Sequence, residues 1–179
     1  SCGRTEWQRK NGILIPIEDL TYAVDWARHS DWTWAGVLTR SFDLLACWKY
    51  PHVRYEEQIQ LMLDDLKQPR KCLKRVVDAQ GEREEEEAFT YFDRIGAVRG
   101  DSAGLGDFPT EYLQDHSGLP MDDESRVKFT QQSKHEIYSL FEAALFREQG
   151  DPQRFSFPAT HPLAGEIEQE TTLLVREYR

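Results

Sequence analysis

Met121–Gln149 reads MDDESRVKFTQQSKHEIYSLFEAALFREQ, the longest unbroken helical pattern in the chain. Phe129, Ser133, Ile137, Leu140, Phe141, Ala144 and Leu145 recur at spacings of three and four, which places them on one stripe of a 3.6-residue period. Asp122, Asp123 and Glu124 suit the positive end of a helix dipole and Arg147 the negative end, while Gly150 and Pro152 stop the pattern. A helix this long needs apolar partners along its whole length. Shorter amphipathic segments upstream supply them, so the expected fold is all-α: six or seven helices packed around one long helix at about 121–149.

Upstream, residues 1–12 read as a loosely held lead-in and Ile13–Ile17 as a short apolar run. Helical faces follow at Leu20, Ala23, Val24 and Ala27, and at Trp34, Val37, Leu38, Phe42, Leu45 and Trp48. Tyr55, Ile59, Met62, Leu63 and Leu66 form the cleanest stripe, ending before Pro69. Further helices are expected from Pro69 to Gly81, from Glu82 to Ile95 and over Pro109–His116. Gly96, Gly100, Gly104 and Gly106 make 96–108 the main irregular segment. After Gly150 an extended connector leads to a terminal helix carrying Leu163, Ile167, Thr171, Leu174 and Val175.

Length and composition fit one domain: 179 residues, 39% hydrophobic, 12% aromatic. The net charge of −10 disfavours nucleic acid or an anionic membrane across the whole surface, and leaves room for a local basic patch or a basic protein partner. No apolar run reaches the ~18 residues of a membrane span. Cys2, Cys47 and Cys72 are odd in number and show no CxxC pairing, which predicts a reducing, cytoplasmic setting and no zinc site. None of the five histidines forms HxxxH or HExxH, and the paired carboxylates read as solvated helix surface, so neither metal nor cofactor is expected.

Three features bear on function. Gly100-Asp101-Ser102-Ala103-Gly104 has the GxSxG form of a nucleophile elbow. The stretch Asp93–Gly104, DRIGAVRGDSAG, resembles the elbow region of the hormone-sensitive-lipase branch of the α/β-hydrolases. That resemblance implies a serine hydrolase with Ser102 as nucleophile, and Asp151 and His161 follow it in the required order. The plain alternative is a glycine-rich turn. Second, Lys67, Arg70, Lys71, Lys74 and Arg75 put cations at helical spacing, a candidate phosphate or nucleic-acid site or simply a solvated face. Third, Trp26 and Trp32 lie in an aromatic cluster with Trp34 and Trp48; they are candidates to anchor a protein partner, and core packing is the plain alternative. The reading adopted from sequence is a non-enzymatic acidic interaction domain, an adaptor, inhibitor or subunit, with oligomeric state left open.

Overall fold

The computed structural model describes residues 19–26, 32–40, 42–78, 80–102, 107–128, 130–145, 155–157 and 161–169. It corrects the all-α expectation. The molecule is built on a five-stranded mixed sheet, and several segments expected as helices are strands. β1 (Leu20–Asp25), β2 (Thr33–Leu38) and β3 (Leu44–Tyr50) form an antiparallel meander. α1 (Tyr55–Lys67) follows, then a hairpin of β4 (Arg70–Asp78) and β5 (Gly81–Phe89). β6 (Ile95–Asp101) returns to the sheet parallel to β1. α2 (Asp107–His116) leads to the short β7 (Arg126–Val127), parallel to β6, and α3 (Gln131–Leu145) comes next. The sheet order is β3-β2-β1-β6-β7.

The strands escape helical periodicity for a physical reason. Strands that carry apolar side chains on both faces lose the apolar–polar alternation and read as near-continuous apolar runs. In such runs spacings of three and four arise by chance, as in TWAGVL and LLACWKY. The segments at 69–81 and 82–95 were expected as two helices and are the two arms of the hairpin, closed at Gly81, whose φ of +116° suits glycine. The irregular segment at 96–108 holds β6 as far as Asp101 and the start of α2 at Asp107, with 103–106 outside the described residues. The long helix at 121–149 is shorter in fact: Asp123–Ser125 is a 3₁₀ turn, β7 follows, and only Gln131–Leu145 is helical, with 146–149 outside the described residues. α1 lies where its stripe placed it, with Ile59, Met62, Leu63 and Leu66 buried. The terminal helix is described over 164–169, and Ile13–Ile17 lies outside the described residues.

One face of the sheet makes the core. Leu20, Tyr22 and Val24 of β1, Ala35 and Val37 of β2, Tyr50 of β3 and Val98 of β6 pack with Ile59, Met62 and Leu66 of α1 and Leu113 of α2. Each large side chain so buried stabilises the fold by about 1.5–3 kcal/mol relative to exposure. The opposite face carries Ala23 and Asp25, Trp34, Gly36 and Leu38, Cys47, Arg99 and Asp101. No helix among the described residues is long and apolar enough to cross a membrane.

Candidate functional site

The second face of the sheet holds a cavity of about 520 Å³, within the range of small-molecule and cofactor pockets. Its floor is low because Ala23, Gly36 and Cys47 are small, and its walls rise at Trp34, Leu38 and Leu44. A Cβ on Gly36 would stand 3.0 Å from Leu44 Cδ1, so the floor has little room for anything larger.

Two carboxylates share this cavity, Asp25 and Asp101. β1 and β6 are parallel neighbours whose last registered pair is Val24–Gly100. Asp25 and Asp101 each stand one residue beyond that pair, at the carboxyl ends of their strands. Adjacent strands lie about 5 Å apart, so the two acids sit side by side on one face. The chain leaves β1 towards β2 on one side and leaves β6 towards β7 on the other. The two acids thus stand at the carboxyl ends of neighbouring parallel strands from which the chain departs in opposite directions. The row extends in both directions by register: Lys49 and Trp34 beyond Asp25, Val127 beyond Asp101.

Cations flank the acids. Arg99, one strand period before Asp101, lies in the cavity wall, with Nη2 3.4 Å from Glu124 Oε2 and Nη1 4.0 Å from Asp122 Oδ1. Lys134, in the first turn of α3, lines the same cavity. It has no ion pair among the described residues. Burial pushes the Cys47 thiol up to about 11, so it remains protonated and is a poor metal ligand at neutral pH.

Behind the acids a buried strap joins the strands. Trp26 Nε1 donates to Thr110 Oγ1 over 2.8 Å, and Thr110 Oγ1 donates to the carbonyl of Asp101 over 3.0 Å. Ser102 N–H donates to Val127 O over 2.8 Å on the other side.

The residues singled out by sequence fall as follows. Ser102 directly follows β6, is 3% exposed, and its Oγ has no hydrogen-bond partner among the described residues. His161 Nδ1 accepts the Leu163 N–H at 3.1 Å. Asp151 lies outside the described residues, so no base is shown on the Ser102 hydroxyl. Lys67, Arg70, Lys71, Lys74 and Arg75 do not share a helix: Lys67 ends α1 and the other four belong to β4. Lys67 Nζ lies 4.6 Å from the Phe92 ring centroid, and the Arg70 guanidinium 4.7 Å from that of Tyr91. Lys71 pairs with Glu86 at 3.0 Å, and Lys74 and Arg75 stand opposite Glu85 and Glu84 in the ladder. Trp26 is 4% exposed and internal, whereas Trp32 is 48% exposed, with Lys49 Nζ 4.9 Å from its ring centroid.

Sequence reasoning missed the pair that the sheet brings together, Asp25 and Asp101. The signal was present as two short apolar runs, LTYAVD and IGAVRGD, each closing on an aspartate. Among the described residues no group of three or more His, Cys, Asp and Glu side chains gathers as a metal site. In comparisons with known proteins, no family model, no curated protein and no solved structure matches this chain.

Proposed function

We propose that this protein is a divalent-cation-dependent hydrolase of phosphodiesters, with a nucleic-acid strand as its substrate class. The observation that carries the reading is the side-by-side placement of Asp25 and Asp101 at the carboxyl ends of adjacent parallel strands, inside a cavity flanked by Arg99 and Lys134. The donor set suits Mg²⁺ or Mn²⁺. Both ligands are hard carboxylate oxygens, and Mg²⁺ is commonly held by one or two carboxylates plus substrate phosphate, without a full protein cage. Two acids therefore suffice. When bound, such an ion activates water and polarises a phosphoryl oxygen.

The chain's own residues supply the rest. Asp25 and Asp101 place negative charge where a cation must sit. Lys134 and Arg99 offset the phosphate charge that the acids would otherwise repel. Trp34 stands in the wall beside Asp25 with Lys49 Nζ 5.4 Å from its ring centroid, an aromatic and a cation together where a nucleotide would pass. The overall charge of −10 makes such a local arrangement necessary, because the surface as a whole repels polyanions.

The test is cleavage of plasmid and oligonucleotide DNA and RNA with Mg²⁺ or Mn²⁺, with and without EDTA. Asp25→Asn and Asp101→Asn are each expected to abolish cleavage while leaving the melting temperature near wild type. Metal-independent cleavage, or wild-type rates in both variants, would overturn the reading.

A second reading, the protein-partner surface expected from sequence, is supported by Trp32. At 48% exposed it is a large aromatic at the open end of β2. It predicts that Trp32→Ala releases a co-purifying protein without changing cleavage. Loss of cleavage with no partner released would assign Trp32 to the substrate instead.

A further inference from the structure

We infer that Thr110 is a positioning residue that holds the two carboxylate-bearing strand ends in register; the inference deepens the hydrolase reading and rests on it. The β1–β6 ladder has its last registered pair at Val24–Gly100, one residue short of the two acids. Beyond that pair, strand ends ordinarily splay. Here one hydroxyl bridges them. It accepts the indole hydrogen of Trp26, the residue after Asp25, at 2.8 Å, and gives its own hydrogen to the carbonyl of Asp101 at 3.0 Å. The hydroxyl has one hydrogen and uses it once, so the bridge is chemically consistent. Thr110 is fully buried and Trp26 is 4% exposed, which keeps water from competing for either bond.

The sequence makes room for this contact. A Cβ on Gly100 would lie 2.9 Å from Thr110 Oγ1 and 3.1 Å from its Cγ2. Only glycine at the position before Asp101 lets α2 approach β6 closely enough for the bridge. Neither Thr110 nor Gly100 touches a ligand in this scheme. They act through Trp26 and the Asp101 backbone, as outer residues orient metal-binding carboxylates elsewhere.

The decisive variants are Thr110→Val, which keeps the shape and removes the hydroxyl, and Thr110→Ser, which keeps the hydroxyl. Mn²⁺ titration calorimetry on the whole protein, cleavage kinetics at saturating metal, and hydrogen exchange of the backbone at 25–26 and 101–102 are measured together. Thr110→Val is expected to weaken Mn²⁺ binding by about tenfold and to lower kcat with KM little changed. It should also speed exchange at both strand ends. Thr110→Ser should stay within about twofold of wild type, well short of the tenfold loss expected when the hydroxyl is removed. Gly100→Ala should behave as Thr110→Val does. Wild-type metal affinity in Thr110→Val, or equal losses in the Val and Ser variants, would overturn the inference. If the wild type itself binds no Mn²⁺, the hydrolase reading falls. The strap is then judged by exchange alone: it survives if Thr110→Val loosens both strand ends and Thr110→Ser does not, and fails otherwise.

Discussion

Thr33 donates its Oγ1 hydrogen to Gln58 Oε1 over 3.1 Å, and both side chains are fully buried. Gln58 Nε2 donates in turn to Pro51 O at 2.7 Å. One amide from α1 therefore fastens both the start of β2 and the end of β3, whose facing residues are Thr33 and Tyr50. A buried polar group is stabilising only while its partners remain. Gln58→Leu keeps the volume and removes the amide's bonds to the Pro51 carbonyl and the Thr33 hydroxyl. It should lower stability by about 2–3 kcal/mol in urea denaturation, by the penalty for unsatisfied buried groups. A loss below about 0.5 kcal/mol, the size of a neutral surface change, would show that water replaces the amide.

That bond also shows what was legible. Gln58 lies on a helix whose stripe was read in place, because α1 packs one face on the sheet and leaves Glu56, Glu57 and Asp64 outside. β1, β2 and β3 gave no such contrast. Tyr22 and Val24 face α1, while Ala23, Gly36 and Cys47 face the cavity, and an apolar side chain on both faces erases the period of two. The hairpin was misread for the opposite reason: its charges follow pairing across strands, Lys71 with Glu86, and not spacing along one chain. Asp25 and Asp101 are 76 positions apart in the numbering and meet only because β6 returns beside β1. A parallel crossover leaves no local trace, so the acids looked like ordinary surface residues. The GxSxG motif drew attention to Ser102, one position past the acid that lines the cavity.

Cys47 gives a chemical read-out of the cavity. Burial is the main cause of its raised value, pushed up to about 11; the backbone hydrogen bond at Trp48 lowers it and Glu166 raises it. Because the thiolate is the nucleophile, alkylation by iodoacetamide at pH 8 should be slow, and its rate should climb through pH 10 without the plateau that an ordinary thiol shows above about 8.5. Peptide-resolved mass spectrometry separates Cys47 from Cys2 and Cys72. A plateau near pH 9 at Cys47 would mean the floor of the cavity is open to water.

His161 predicts a pH dependence of stability. Burial lowers its folded-state value below the usual range, and its Nδ1 accepts the Leu163 N–H, a bond only the neutral ring can make. In the unfolded chain it titrates near 6.5. The unfolded state therefore binds more protons as pH falls through that value, and stability drops with it. The contribution is fully present above about pH 6.5, the unfolded value, and is lost towards the lower folded value. Urea midpoints taken from pH 7.5 to 5 should fall less steeply in His161→Asn than in wild type. Identical slopes would show that His161 is solvated in the native protein.

Lys134 and Arg99 both line the cavity, yet they should differ in what they do for substrate. Arg99 is held by Glu124 and Asp122, so much of its charge is already countered before any phosphate arrives. Lys134 has no such pairing among the described residues and lines the cavity from the first turn of α3. A cation that meets a phosphate releases about one counterion when it does so. Lys134→Ala should therefore weaken oligonucleotide binding and lower the slope of log K against log salt by about one, without changing the fold. Arg99→Ala should change that slope less. It should cost more in stability, because Asp122 and Glu124 then stand without their partner beside the 3₁₀ turn. Fluorescence anisotropy at several salt concentrations, with Asp25→Asn as the cleavage-dead background, separates the two. Equal slopes in wild type and Lys134→Ala would remove Lys134 from the phosphate path and leave the carboxylate pair to bind substrate through the metal alone.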